Sequence, residues 1–363
     1  MQPNPTQPAA FAPIPRSMQF ALFLTGLLWL LASLSAAAHA AQGIADRLNL
    51  PLAQQPLQEA FFLFLLLAGY AALSWIATRA GSLRSTNALP TRPTATREWQ
   101  TGAALGWAML LVAVIPMVVA GDLHPQFWLA PRAWLSAILS LLTLAFATLA
   151  LEVGFRGFLY RRLIAAIGPT MATILLSAIY AVFSSFRPNS TTFSVFVAFL
   201  LGLLFSIAYL RTHALWLGWG LHFAWDAAMA VLLGLPIAGL ATYNTVVDTN
   251  TSGALWLTGG AYGPEGALIT AVILLAAMAV LYRLTRDYAW QYTHAPIVSA
   301  GYAMDIVPPA AHTAMEKAAA PAPLVQILAT TATTASTLPS IDEHLRTNTS
   351  TETPRDSLDI DAK

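Results

Sequence analysis

Five polar side chains fall inside apolar stretches of the sequence, and their types are those that can carry out acid–base chemistry. Glu152 and Arg156 share one stretch, His222 and Asp226 share another, and Ser184 lies in a third. An ionisable residue at the centre of a membrane-spanning helix costs roughly 2.5–3.5 kcal/mol on insertion scales, so the few that occur there tend to be functional. Carboxylate and imidazole groups can move protons, and imidazole, guanidinium and hydroxyl groups can stabilise an oxyanion.

The spacing of these residues brings them close together if the stretches are helices. Within each ionisable pair the two residues lie four positions apart, which puts them on one helix face. A turn is predicted at the Gly-Pro pair 168–169, and Glu152 and Ser184 lie equally far from it along the chain. At 1.5 Å per residue, Glu152 and His222 lie about 15 and about 16 Å from the arginine-marked ends of their helices. The sequence therefore predicts that Glu152, Ser184 and His222 meet at one depth in a polar chamber.

The chain as a whole has the composition of an integral membrane protein. Of its 363 residues, 57% are apolar and 10% are charged, whereas a soluble domain has roughly 25% charged residues. The formal net charge of +1 predicts no nucleic-acid partner. The absence of cysteine excludes disulfides, thiolate catalysis and Cys-ligated metals. Membrane lipid is the expected partner, and no cofactor is predicted.

Eight stretches approach the about 20 apolar residues that a membrane-spanning helix needs. They are residues 18–40, 60–77, 101–120, 133–159, 171–186, 193–210, 215–235 and 267–284. The predicted fold is therefore all-α, a polytopic membrane bundle of about eight transmembrane helices around a polar intramembrane cavity.

The ends of the chain differ from the apolar domain at residues 18–288. Residues 1–17 are rich in proline and residues 291–363 in Ala, Thr and Pro, so both are predicted to be disordered tails. Arginines concentrate in the even-numbered connections, which predicts both termini on the cytoplasmic side. The Ala-His-Ala sequence at 38–40 is similar to a signal-peptide cleavage site, so residues 18–40 form either the first helix or a cleaved signal.

Three motifs, in order along the chain, resemble those of the CPBP intramembrane protease family, which includes the type II CAAX prenyl endopeptidases. Residues 151–159 read LEVGFRGFL and are similar to the family's EExxFRG motif. Residues 180–184 (YAVFS) and 187–189 (RPN) occupy the positions of its FxxxH motif and NPN-like turn. Residues 209–216 (YLRTHALW) and 222–226 (HFAWD) are similar to its YLRTGSLW segment and HxxxN motif.

The resemblance extends over residues 130–285 and implies hydrolysis of a peptide bond within the membrane, without a covalent intermediate. A glutamate of the first motif would act as general base on a water molecule, and the His and Asn groups would stabilise the oxyanion. Arg156 would hold the glutamate helix in place electrostatically. The implied substrate is a hydrophobic or prenylated peptide, and the implied location is the inner (cytoplasmic) membrane of a bacterium.

Three motif positions depart from the family pattern. Leu151 replaces the first glutamate, Ser184 replaces the histidine of the second motif, and Asp226 replaces the asparagine of the third. Glu152 can serve as the base if its helix rotates by about 100°, the angle between adjacent helical residues. Alternatively, Ser184, His222 and Asp226 contain the components of a nucleophilic triad. No metal site is predicted, because the HExxH arrangement of membrane zinc proteases is absent.

Three functions stay open at the level of the sequence. The first is an intramembrane endopeptidase that uses Glu152. The second is a non-catalytic relative that binds a lipid, a peptide or a partner helix, in which Glu152 faces Arg156 and Asp226 faces His222 as structural pairs. The third is a small transporter in which Asp226 and His222 relay protons.

Overall fold

A computed structural model describes residues 14–80, 89–243 and 245–286, which form a bundle of helices. In chain order these are α1 (Arg16–Leu48), α2 (Gln54–Ala80), α3 (Ala95–Ala120), α4 (Pro131–Glu152), α5 (Tyr160–Ile167), α6 (Pro169–Ser185), α7 (Thr192–Thr212), α8 (Trp216–Ala227), α9 (Leu255–Thr258) and α10 (Leu268–Leu284). Each of the eight predicted apolar segments overlaps one or two of these helices, and the all-α membrane bundle is confirmed.

Five helical stretches of the described chain are long and apolar enough to cross a membrane. They are Arg16–Leu48, Pro51–Arg79, Ala95–Ala120, Pro131–Ile167 and Thr192–Thr212. The apolar helices α6 and α10 are shorter, at 17 residues each, and α8 has 12 residues that are mostly buried by its neighbours. Large apolar side chains point outward, with Leu28 67%, Ile138 64% and Val119 82% exposed. Such a surface suits contact with lipid, and the chain is a multi-pass membrane protein.

Several helices begin or end some residues away from the predicted boundaries, and two of these differences change the description of the chain. Helix α1 begins at Arg16, inside the predicted tail 1–17, because the preceding Pro15 sacrifices no helical hydrogen bond there. Residues 1–13 of that tail and the whole predicted tail 291–363 lie outside the described residues. Helix α4 continues through a π-helical segment, Val153–Leu159, into α5. The fourth span therefore ends at the predicted turn, where Gly168 has φ 84° and α6 begins.

A pair of short strands was not predicted. Strand β1 (Leu123–Phe127) pairs antiparallel with β2 (Val247–Thr251), and Leu123 lies opposite Thr251. The strands lie in two connections that are far apart in sequence. Pro125 lies in the middle of β1 and is unfavourable within a strand, and β2 (VDTNT) has only one apolar residue, so neither segment was recognised as a strand from the sequence.

Glycines allow α3 and α8 to pack backbone against backbone. A Cβ atom on Gly102 of α3 would lie 2.1 Å from the carbonyl oxygen of Leu217, and a Cβ on Gly220 of α8 would lie 2.1 Å from that of Trp99. Small residues permit this close approach of membrane helices, and larger residues prevent it. The packing fixes the position of α8, the helix that carries His222.

Replacing Gly102 with leucine is therefore expected to destabilise the fold by about 3 kcal/mol, since a backbone carbonyl cannot move aside cheaply. Thermal unfolding of the purified protein in detergent measures the effect. Gly43→Leu in α1 is the matched control, because a Cβ at Gly43 would have no described atom within 4 Å. Equal unfolding temperatures for the two variants would contradict the role given to Gly102.

Candidate active site

Glu152 is the last residue of α4, and its carboxylate is buried between two partners. Its Oε1 atom lies 3.2 Å from Nδ1 of His222 on α8 and 3.5 Å from Nη1 of Arg156, one turn further along the chain. The Glu152 side chain is only 1% exposed. Leu151, the preceding residue, packs against a separate apolar cluster. The carboxylate next to the motif histidine is therefore that of Glu152.

His222 lies between two carboxylates. Its Nε2 atom is 3.6 Å from Oδ2 of Asp226, one turn further along α8, and its Nδ1 atom faces Glu152. The ring also packs against Phe205 of α7, with 4.6 Å between ring centroids. A neutral imidazole carries one N–H and can donate it to only one of these two carboxylates. The imidazole therefore couples the acid of α4 to the acid of α8.

Arg156 is fully buried and surrounded mostly by aromatic rings. Its Cζ atom lies 5.1 Å from the ring centroids of Tyr180 and Phe205 and 5.6 Å from that of Phe155. Nη2 donates to the carbonyl oxygen of Gly202 at 3.3 Å. Among the described residues, Nε and Nη1 have no hydrogen-bond partner. Buried N–H groups in that state are costly. Nη1 faces the Glu152 carboxylate at 3.5 Å, so Nε is the buried N–H group that is available to a further negatively charged group.

Both ionisable pairs border π-helical segments. The segment Val153–Leu159 directly follows Glu152 and contains Arg156, and the segment Ala228–Leu232 begins just after Asp226. A π-helical segment widens the helix, which changes the direction of the side chains on either side of it. Such segments are rare and concentrate at functional sites. Their positions support a functional interpretation of the cluster.

Gly218 of α8 leaves space for the Glu152 carboxylate. A Cβ atom at Gly218 would lie 3.1 Å from Oε2 of Glu152. Because this contact is with one side-chain oxygen, glycine here keeps one side of the carboxylate open. The cluster of Glu152, Arg156, His222 and Asp226 is called the ionisable cluster below.

Ser184 has a different partner from the one that the sequence predicted. Its hydroxyl lies 2.7 Å from the hydroxyl of Tyr262, in the glycine-rich connection before α10. Within the described part of the chain, no hydrogen bond joins the Ser184 side chain to His222 or to Glu152. The described residues therefore show no hydrogen-bonded group of Ser184 with Glu152 and His222, and the Ser184 hydroxyl bonds the connection before α10 instead. The Ser-His contact that a nucleophilic triad requires is thus not formed.

Glu265 is a further buried acid near the ionisable cluster, and it was not predicted from the sequence to be a site residue. Its carboxylate accepts hydrogen bonds from Nε1 of Trp225 at 3.0 Å and from the backbone N–H of Ala238 at 2.8 Å. The first bond attaches the connection before α10 to α8, next to Asp226, and the second attaches it to the segment between α8 and β2. The sequence feature that could have identified Glu265 is its position as an acid within the glycine-rich run 259–266. Its hydrogen-bond partners are distant in sequence, so they could not be predicted from this run.

The fold and the site together define a class of protein: a multi-pass helical membrane protein with a glutamate, an arginine, a histidine and an aspartate clustered among its helices. Across the described ranges, no three acidic or histidine side chains form a group suited to a metal ion. Residues 132–228 match the family model described as type II CAAX prenyl endopeptidase Rce1-like. This segment contains the whole ionisable cluster, and the match supports the CAAX protease-like family that its motifs indicated. No curated protein and no solved structure matches the chain.

Proposed function

We propose that this protein is an intramembrane endopeptidase in which Glu152 activates water. The observation that carries the proposal is the contact of the buried Glu152 carboxylate with His222 at 3.2 Å and with Arg156 at 3.5 Å. A carboxylate that two neighbours hold in place is suited to general-base catalysis. The family match supports peptide-bond hydrolysis as the reaction.

The reaction requires one proton acceptor and one set of oxyanion donors. Glu152 takes a proton from water, and the water oxygen attacks the carbonyl carbon of the scissile bond. The carbonyl oxygen becomes an oxyanion, for which Nε of Arg156 is available as a donor. When the tetrahedral intermediate collapses, the C–N bond breaks and the proton held by Glu152 passes to the leaving nitrogen. One water is consumed, and a carboxylic acid and an amine are formed.

His222 and Asp226 act in this scheme as positioning residues. The imidazole holds the Glu152 carboxylate by donating from Nδ1. When the ring is protonated, its second N–H faces Asp226, whose Oδ2 is 3.6 Å from Nε2. Because His222 holds the Glu152 carboxylate in addition to Arg156, the carboxylate samples fewer orientations. This favours the orientation that can accept a proton from water.

The proposed substrate is a peptide segment that is hydrophobic or carries a prenyl group, because the site lies among apolar helices. The distribution of arginines supports placement of both termini in the cytoplasm, and we propose the inner membrane of a bacterium as the location.

The direct experiment reconstitutes the full chain in proteoliposomes with a panel of prenylated and unprenylated hydrophobic peptides, in water enriched in oxygen-18. The expected result is cleavage with one oxygen-18 atom in the new carboxyl terminus, measured by mass spectrometry. Peptides that stay intact across the panel would contradict the proposal.

Replacing Ser184 with alanine is expected to leave the rate of cleavage nearly unchanged, because its hydroxyl bonds Tyr262 and not His222. The loss of that single hydrogen bond is expected to cost about 1 kcal/mol of stability. Measurement of kcat/KM for both proteins tests this. A loss of about 10³-fold or more would instead indicate a serine nucleophile.

A second candidate function is a non-catalytic relative that binds a membrane peptide or lipid. The observation in its favour is that Glu152 Oε1 already contacts both Arg156 and His222, while Leu151 and Ser184 replace the family's glutamate and histidine. For this candidate, the wild-type protein would be inactive in the peptide assay. The double variant Leu151→Glu, Ser184→His would then gain cleavage.

A further inference from the structure

We infer that water enters the bundle along a row of buried hydroxyl groups between α5, α6 and α7, and that this row ends at Arg156. The residues of the row are Thr173, Tyr160, Ser177 and Ser206; none of them is among the catalytic motif positions. The row is called the hydroxyl path below.

The inner end of the hydroxyl path surrounds Gly202 of α7. The Gly202 carbonyl oxygen accepts the hydrogen bond from Arg156 Nη2 at 3.3 Å. A Cβ atom at Gly202 would lie 3.2 Å from Oγ of Ser177 on α6. Ser206 lies one turn further along α7 and therefore on the same face as Gly202. Two hydroxyls and the guanidinium thus come close to one backbone position.

The hydroxyls of Ser177 and Ser206 lie in the protein interior without well-formed hydrogen bonds, although buried hydroxyls are normally hydrogen-bonded. Both residues are 0% exposed. The Oγ atoms of both serines lack a hydrogen bond of good geometry among the described residues, and Ser206 has only the Tyr160 hydroxyl beside it. Buried helical hydroxyls usually donate to the carbonyl one turn back, as Thr148 does to Leu144 at 2.7 Å. Together with Nε and Nη1 of Arg156, they form a group of buried polar atoms that a water molecule can satisfy.

The path continues from Ser206 and Ser177 toward the turn between α5 and α6. Thr173 lies one turn before Ser177 on α6, and its hydroxyl bonds that of Tyr160. Tyr160 also lies beside Ser206. Thr173 donates to the carbonyl oxygen of Pro169 at 2.7 Å and is partly exposed. The hydroxyl groups therefore extend from the end of the helical hairpin to Arg156.

Water on this path would arrive next to Arg156, whose Nη1 atom is 3.5 Å from the Glu152 carboxylate. The use of this water in hydrolysis rests on the proposed function, because only a hydrolase consumes water. The presence of water on the path depends on the polar groups alone. It can therefore be tested without any measurement of cleavage.

The chain has no cysteine, so single cysteines can be introduced without background reaction. We would label Ser177→Cys and Ser206→Cys with a small charged methanethiosulfonate, which reacts with the hydrated thiolate. Leu176→Cys and Leu204→Cys are the matched controls, because both leucines are 0% exposed and lie in apolar clusters of the same helices. The expected result is labelling about tenfold faster at the serine positions. Equal rates at serine and leucine positions would overturn the inference.

A second measurement uses the unmodified protein, in case a cysteine variant does not fold. Radiolysis in water enriched in oxygen-18 modifies side chains next to bound water, and mass spectrometry locates the label. Tyr160 is expected to be labelled well above Tyr70, a buried tyrosine of α2 whose hydroxyl faces the carbonyl oxygens of Gly26 and Gly154. Equal labelling of the two tyrosines would overturn the hydroxyl path even in a protein that cleaves peptides, and labelling of Tyr160 in an inactive protein would leave the path standing.

Discussion

Replacing Glu152 with glutamine should lower kcat/KM for peptide cleavage by a factor of about 10²–10⁴, the usual contribution of a general base. The amide keeps the shape of the side chain and one acceptor oxygen for Arg156 and His222, but it cannot accept a proton from water. The loss should therefore appear in kcat without a loss of folded protein. Initial rates in proteoliposomes, with thermal unfolding of the same samples, separate the two effects.

Glu59→Gln is the matched control for this experiment. Glu59 is an acid in another apolar helix, α2, and it is not part of the ionisable cluster. Its replacement makes the same change from acid to amide in the membrane domain and should leave cleavage unchanged. If Glu152→Gln retained wild-type activity, or if both variants lost activity equally, Glu152 would not be the base.

Replacing Arg156 with methionine should destabilise the protein by about 3–5 kcal/mol, the cost of removing one partner of a buried ion pair. Methionine fills comparable space among Phe155, Tyr180 and Phe205, so the loss of packing is small. The Glu152 carboxylate would be left buried without its guanidinium. Unfolding of the detergent-solubilised protein, followed by tryptophan fluorescence, measures the change.

The double variant Arg156→Met, Glu152→Leu distinguishes the charge effect from a packing effect. With both charges removed, most of the stability should return, because apolar residues of similar volume often replace a buried ion pair at no cost. A single variant as stable as the wild type would show that the two charges do not depend on each other. A double variant no more stable than the single one would assign the loss to packing around Arg156.

The sequence predicted the helices well, because a membrane span is determined by the length of an apolar run. It also predicted the common depth of Glu152 and His222, since residue number along a helix converts directly to height. Gly168 was identified as the turn for a similar local reason, and the structure has a positive φ at that residue. These features depend on short stretches of neighbouring residues.

Features that depend on the packing of distant segments could not be predicted in this way. The partner of Ser184 is Tyr262, which lies in the connection before α10. The direction of Glu152 toward His222, with Leu151 turned away, depends on how α4 packs and continues into the π-helical segment that follows it. The space that accommodates the carboxylate is provided by Gly218 of a different helix. Helical periodicity in the sequence predicts which residues share a face of one helix. Each of these contacts joins two different segments, so periodicity could not predict them.

The most direct test of the account is an experimental structure of the full chain in a lipid nanodisc, at a resolution that places side chains. We expect the Glu152 carboxylate to lie within about 3.5 Å of the His222 imidazole, with Leu151 packed among apolar side chains. A structure in which Leu151 faces His222, and Glu152 points toward lipid or another part of the bundle, would contradict it.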